Sequence, residues 1–408
     1  MGDAEPAGEP PPSSAWRLLR QGNYFRYFAG NVVSNVGTWF QDIAAAILVF
    51  QLTGSAGAVA VVAICGYGTA VFLAPWGGGL ADRVDRRRLL IASHLGLGAA
   101  AGVLAGLAWA GLATAGVVYV VSALLGVGRA INNPTLQAMI PALVARRDVA
   151  QASALQVVTF NLARAIGPVL GAVVITTFGA GPAFAVNAAS FLVFAFVLMT
   201  LRVDPRPKPT LPGGFRFALG YVGTRPRLVL LLVCCAIMGM ATDPVITLAP
   251  AFAAAYGEPE AWAGWFTSAF GAGAVLGAPL TGWVRRTVGP HHTGVAGLLT
   301  IPVAFGVVAL SPWPVLSLVA VAVAGAAFLI GNADLTASLH DEIDDDVRGR
   351  VMALWTIGFH GSRPVAAAID GSVADAASPQ AAISVVAGLI LLAGVLAGVG
   401  FRRGSQIR

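Results

Sequence analysis

Twelve long apolar stretches follow one another along the chain, separated by short polar or Gly/Pro-rich breaks. They run approximately over 28–50, 57–80, 88–110, 115–137, 152–177, 182–203, 228–254, 261–283, 293–311, 315–337, 351–376 and 380–401. A helix rising ~1.5 Å per residue needs roughly 20 apolar residues to cross a bilayer's hydrocarbon core. The pattern therefore predicts an all-α membrane protein of twelve transmembrane helices. Lipid leaves backbone polar groups no outside partner, so helices that satisfy their own hydrogen bonds are the expected element.

The breaks alternate in charge. Arg17, Arg20 and Arg26 precede the first stretch, and Arg83, Arg86, Arg87 and Arg88 follow the second. Arg146 and Arg147 follow the fourth, Arg285 and Arg286 the eighth, and Arg348 and Arg350 the tenth, while Arg402, Arg403 and Arg408 end the chain. Arg202, Arg206, Lys208, Arg216, Arg225 and Arg227 lie in or flank the connection after the sixth, and the remaining six connections carry no Lys or Arg. Positive charge collects on the cytoplasmic side, so both termini are expected there, in a multi-pass protein of the inner membrane. The stretch 204–227 holds Pro205, Pro207, Pro209 and Pro212 and divides the chain. The expected organisation is a cytoplasmic tail at 1–15, a six-helix half at 16–203, a cytoplasmic linker at 204–227, a second half at 228–401 and a tail at 402–408.

Composition agrees: 57% of residues are hydrophobic and 11% charged, against about 25% charged in soluble domains. The net charge of +6 follows from the topology and points to no nucleic acid. Cys65, Cys234 and Cys235 lie inside apolar runs and read as small hydrophobes. The single lysine, Lys208, sits in DPRPKPT, so no phosphate-binding Gly-Lys-Ser/Thr loop exists. No hydrolytic triad or metal cluster is spaced along the chain. An enzyme, a cofactor and a bound metal are therefore not expected, and a monomer in lipid is.

The halves read as repeats. Asp42 and Asp243 are 201 residues apart, Leu80 and Leu280 are 200 apart, Arg164 and Arg363 are 199 apart, and Pro168 and Pro364 are 196 apart. Near-constant offsets in corresponding stretches argue for duplication and for pseudo-symmetric halves.

The loop after the second stretch reads GGLADRVDRRRLL. It resembles the major facilitator signature G-x-L-A-D-R-x-G-R-[RK]-x-x-L, with Gly78, Asp82, Arg83, Arg86 and Arg87 on the pattern and Asp85 where the family has Gly. The resemblance implies a conformational latch there. The second half has GAPLTGWVRR, where Gly282 stands in the place of Asp82 and implies a weaker latch. Gly167-Pro168-x-x-Gly171 resembles the Gly-Pro motif of facilitator antiporters, and Pro168 is expected to bend its helix. With YFRYFAGNVVSNVGTWFQDIA, QLTGSA and DDVRGRVMAL, the chain is similar over about residues 16–400 to the bacterial transmembrane secretion effector group. That group includes enterobactin exporters and macrolide efflux proteins. The resemblance implies the major facilitator fold and efflux of a small molecule by alternating access.

Ionisable groups at bilayer depth are costly and mark function. Counted from the cytoplasmic end at ~1.5 Å per residue, Asp42 and Asp243 lie about 20 Å deep, and Arg164 and Arg363 about 18 Å deep. Two pairs are expected, Asp42 with Arg164 and Asp243 with Arg363. These are either static struts or include an Asp that exchanges a proton as the pair separates. Asn31, Asn35, Thr38 and Asp42 share one helix face, expected to look into the central cavity, which makes Asp42 the favoured carrier. Arg129, Asn132 and Asn133 form a second polar patch, and His360, Arg363 and Asp370 a third. His94 reads as a bonded core residue. The five acids of LHDEIDDDVRGR are either solvated or pair with Arg83–Arg88.

The function these features predict is a proton-coupled exporter of a small amphipathic compound such as a siderophore, a macrolide or another secondary metabolite. An importer, or a transport-dead membrane sensor, is the alternative. Asp42 and Asp243 facing a cavity favours transport, and a dry closed core favours the sensor.

Overall fold

The computed structural model describes residues 14–203, 215–344 and 347–405, with the side chains of 82, 215–217 and 402–405 excepted. Most of the expected tail at 1–15, the Pro-rich part of the linker, Asp345 and Asp346 lie outside the described residues. Twelve long helical rods follow in order. They are α1 Gly22–Thr53, α2 Ala56–Arg83, α3 Arg86–Trp109, α4 Ala115–Leu143, α5 Val149–Phe178, α6 Ala180–Thr200, α7 Pro226–Tyr256, α8 Trp262–Val288, α9 His292–Leu310, α10 Pro314–Asp341, α11 Arg348–Ala376 and α12 Pro379–Ser405. Short helices at Ala15–Leu19 and Phe215–Gly223 accompany them.

Ten of the rods are long and apolar enough to cross a membrane. The other two differ for local reasons. α8 is interrupted at Ala278–Leu280 by a tighter turn containing Pro279, and α11 carries Arg348, Arg350, Arg363, Asp370 and Asp375. The expectation of an all-α chain in two six-helix groups holds. α1–α6 pack among themselves, α7–α12 do the same, and the groups meet mainly through α5 on α8 and α2 on α11.

The rods are not uniform, and the irregularities fall at the seam. In α2 a π turn spans Ile64–Gly68; such bulges re-aim the side chains they carry. α7 breaks at Ala241–Asp243 and again at Leu248. Pro244 lacks an N–H and cannot bond back to the preceding turn, and Asp243, itself still helical in φ and ψ, becomes the N-cap residue at the break. The unbroken span 228–254 read from hydropathy is thus three helical pieces, Pro226–Met240, Pro244–Thr247 and Ala249–Tyr256.

Small residues set the seam. A Cβ on Gly271 would lie 2.6 Å from the backbone N of Ala165, and one on Gly371 2.8 Å from the Cα of Gly57. Backbones approach this closely only where side chains are absent. The Gly-Pro motif serves the same packing. A Cβ on Gly167 would stand 2.8 Å from Trp39 and one on Gly171 2.8 Å from Ile43, both of α1. Pro168 faces Gly264 of α8, and the backbone N–H of Val169 donates to Ser268 Oγ of α8 at 3.1 Å. α5 remains one continuous helix across Pro168.

Candidate functional site

The connections without Lys or Arg hold or border Glu258, Glu260 and Asp375 and form an acidic face, where the two halves are in contact. α1 ends at Gly54, whose φ of 65° is the left-handed conformation that favours Gly at a helix end. Ser55 then caps the first turn of α2 by accepting from Ala58 N at 2.9 Å. Asp375 of α11 crosses from the second half onto that same turn. It accepts from Ala56 N at 2.8 Å, from Gly57 N at 3.1 Å and from the Ser55 hydroxyl. Gln51 donates to Glu260 beside it. The QLTGSA segment is therefore a turn that receives a carboxylate from the other half. Packing between α2 and α11 runs along Ala56–Gly68 and thins along Thr69–Arg83.

Below this closure the ionisable residues of both halves converge. Arg129 of α4 donates to both oxygens of Asp42 of α1, at 2.6 and 2.8 Å. Tyr67, displaced by the π turn, points its hydroxyl at Asp42. Its ring lies between two guanidiniums, Arg129 at 4.6 Å from the first half and Arg363 at 3.5 Å from the second. Asp243 accepts from Thr247 Oγ1 at 2.7 Å. Asp42, Tyr67, Arg129, Asp243, Thr247 and Arg363 line one narrow cavity of about 20 Å³, room for one or two waters. Asp370 of α11 is fully buried, with no hydrogen bond to either oxygen among the described residues, and is an electrostatic neighbour of Asp243.

The expected pairing of Asp42 with Arg164 is not formed. Although α1 and α5 pack together, Arg164 turns toward α8 and α10. Its guanidinium lies 4.2 Å from the Phe270 ring, 5.1 Å from Trp39 and 5.7 Å from Phe328. One nitrogen donates to the Thr242 carbonyl at 3.4 Å, in the break of α7. Asp42 is left to Arg129, which the sequence placed in a separate patch. Asp243 and Arg363 are electrostatic neighbours without an ion-pair contact, because Arg363 stacks on Tyr67 instead.

Asn31, Asn35 and Thr38 do not reach the cavity. Asn35 donates to Asn31 Oδ1 and carbonyl, both at 2.9 Å, and Thr38 to the Ser34 carbonyl at 2.9 Å. They are held along their own helix, leaving Asp42 and Ala46 as the α1 residues of the lining. His94 is a bonded core residue, its Nδ1 2.8 Å from the Leu90 carbonyl. Tyr67 was missed by sequence reading, since nothing in ICGYG announces a π turn beyond its two glycines.

On the basic face, Asp85 is the cap of α3 and accepts from Arg88 N at 2.8 Å. Arg87 donates to the Leu198 carbonyl at 2.7 Å and to that of Met199, while Arg86 donates to Ala138 O at 3.1 Å. These bonds stay within the first half. Gly78 and Arg83 make no described bond, and the side chain of Asp82 lies outside the described residues. In the second half, Asp334 of α10 provides the carboxylate that Gly282 lacks. It pairs with Arg285 at 3.0 Å and accepts from Gly294 N at 2.9 Å. The acidic loop pairs inside the same half, Asp341 with Arg285 at 3.4 Å and Glu342 with Arg227 at 2.9 Å. Burial and the facing Arg227 hold His291 below the usual histidine range.

Comparison with known proteins gives three findings. The family model for transmembrane secretion effectors matches residues 13–404. The enterobactin exporter EntS of Escherichia coli O6:K15:H31 (strain 536 / UPEC) is 26% identical over 396 residues, 93% of this chain and 92% of the relative. The same named protein of Citrobacter koseri shows the same identity and coverage. Among solved structures, the nucleoside transporter NupG superposes with a TM-score of 0.74 at 12% identity, over 92% of this chain and 98% of that one. The POT family transporter PepTSo gives 0.70 at 14%, over 97% and 99%. These two likenesses concern the fold.

Proposed function

We propose, starting from the fact that this chain belongs to the transmembrane secretion effector family of major facilitator transporters, that it is a proton-coupled exporter of a small amphipathic compound. The protein is a multi-pass membrane transporter; direction, coupling and cargo are the proposal. Export is supported by the relatives named as enterobactin exporters. A siderophore, a macrolide or another secondary metabolite is the cargo class. The basic face is taken as cytoplasmic, with both termini there, because cytoplasmic loops collect Lys and Arg.

The observation that carries the reading is the convergence of Asp42, Arg129, Asp243 and Arg363 from both halves on one cavity at the seam. A dry apolar seam would serve a sensor; buried charges that exchange partners as halves rock serve coupling. Asp42 and Asp243 are the carboxylates that line the cavity, and they are the candidates for the exchanged proton. In the conformation described, Asp375 and Glu260 hold the acidic face shut. Alternating access then requires those cross-half bonds to break while the basic side closes. The signature loop of α2 and α3, with Asp82, is the proposed latch for that second state.

Everted membrane vesicles containing the protein test this. With an imposed pH gradient they should accumulate a siderophore or a macrolide, and nigericin, which collapses the gradient, should stop it. Accumulation that persists in nigericin rules out proton coupling. Efflux of the same compounds from these vesicles would reverse the direction.

A further inference from the structure

Arg164 and Arg363 are 2% and 4% exposed, and neither makes an ion pair among the described residues. Among the described residues, Nε of Arg164 has no acceptor, and neither have Nε and Nη2 of Arg363. A buried N–H without an acceptor is costly; Arg164 has the Thr242 carbonyl for one nitrogen, which leaves one unpaired nitrogen on it and two on Arg363, from opposite halves. Arg129 differs: both oxygens of Asp42 satisfy it. Asp243 gives one oxygen to Thr247 and neighbours Arg363 and Asp370, but neither carboxylate reaches Arg164.

The surroundings of Arg164 are aromatic. Trp39, Phe270 and Phe328 enclose its guanidinium, and Phe270 and Phe328 lie 5.4 Å apart. Rings hold a cation without using its N–H groups, so the donors remain directed to an oxygen acceptor. A planar guanidinium matches a planar oxyanion in two parallel hydrogen bonds, and rings favour an apolar or aromatic body behind that oxyanion. We propose that Arg164 and Arg363 form the cargo site, and that the cargo is an organic anion with an aromatic body. This rests on the export reading and narrows its substrate class. Arg363 lines the narrow cavity while Arg164 lies outside its lining, donating to the Thr242 carbonyl of α7, and the site opens to both when the halves separate along α2 and α11.

Calorimetric titration of the purified full chain in detergent tests it with three probes of one shape: 2-naphthoate, neutral 2-naphthamide and cationic 2-naphthylmethylamine. The anion should bind at least about tenfold more tightly than the amide, as expected for one charge-assisted hydrogen bond gained. Arg164→Gln and Arg363→Gln should each bring naphthoate down to the amide's level and leave the amide unchanged. Arg164→Lys should fall between. Equal binding of the anion and the amide, preference for the cation, or no binding of any probe overturns the proposal. So does a variant that weakens anion and amide alike. If Arg164→Gln does not fold, Arg363→Gln with the wild-type ranking decides. The titration uses no gradient, so it separates the two readings. Anion preference without gradient-driven transport sinks the export reading alone, and transport without anion preference sinks this one alone.

Discussion

Removing the Asp375 carboxylate should open the acidic face. Asp375 is exposed and reaches across the halves onto the first turn of α2, where it meets Ala56 N, Gly57 N and the Ser55 hydroxyl. Loss of a helix-capping acceptor costs about 1 kcal/mol, and loss of a negative charge at a helix N-terminus about 0.3–1 kcal/mol more. Solvent exposure keeps the sum from approaching the value of a buried pair. About 1.5 kcal/mol is therefore withdrawn from the closed state alone, which multiplies the open-to-closed ratio by about ten. Ala63 of α2 lines the central cavity and can report on this. A cysteine placed there, in a chain lacking Cys65, Cys234 and Cys235, should react with a membrane-impermeant thiol reagent from the acidic face about tenfold faster in Asp375→Ala. Asp375→Asn, which keeps an acceptor, should show a smaller rise. An unchanged rate in Asp375→Ala would show that these bonds do not hold the face shut.

Other expectations follow from the same contacts. Asp42→Asn should strip Arg129 of its partner and destabilise the protein by about 3 kcal/mol, the low end for a broken buried pair, because both side chains keep 16–17% exposure. Thermal unfolding in detergent should then recover in Asp42→Asn with Arg129→Gln but not with Arg164→Gln, and recovery with Arg164→Gln would refute the pairing. Gly271→Val should lower the unfolding temperature by several degrees, since even its Cβ meets α5 backbone at 2.6 Å and overpacking costs about 1–3 kcal/mol; an unshifted melt would argue that α5 and α8 do not pack tightly. Asp334→Ala should leave Arg285 with the exposed Asp341 alone and free the Gly294 amide, making the α8–α9 loop more susceptible to limited proteolysis, and an unaltered digestion pattern would count against it. Cysteines at 258, 87 and 285 in intact cells should be labelled at 258 and spared at 87 and 285, and the reverse would invert the topology.

Much of the architecture was legible along the chain. Length and apolarity of each stretch dictate a membrane helix, because in lipid a backbone must bond to itself. Arginines in alternate connections divide the molecule into a basic and an acidic face. Offsets near 200 residues announce two related halves, and QLTGSA already holds the Gly and Ser that a turn between helices needs. Three of the four ionisable residues singled out along the chain, Asp42, Asp243 and Arg363, line one cavity, and Arg164 donates to the Thr242 carbonyl next to Asp243.

Partnership was not legible, because it depends on which way each helix is rotated and where it breaks. Asp42 and Arg164 lie on packed helices at similar depth, yet Arg164 turns into the rings of α8 and α10 while Arg129 of α4 reaches Asp42. A π turn moves Tyr67 between two guanidiniums, and Pro244 turns Asp243 from a mid-helix residue into the N-cap residue at a break. Asp375 reads as one more acid near a helix end until α11 carries it onto α2. Sequence fixes the position of each residue along its own helix axis; the azimuth of that helix, its irregular turns and its neighbours are settled only when side chains from distant segments compete for the same space.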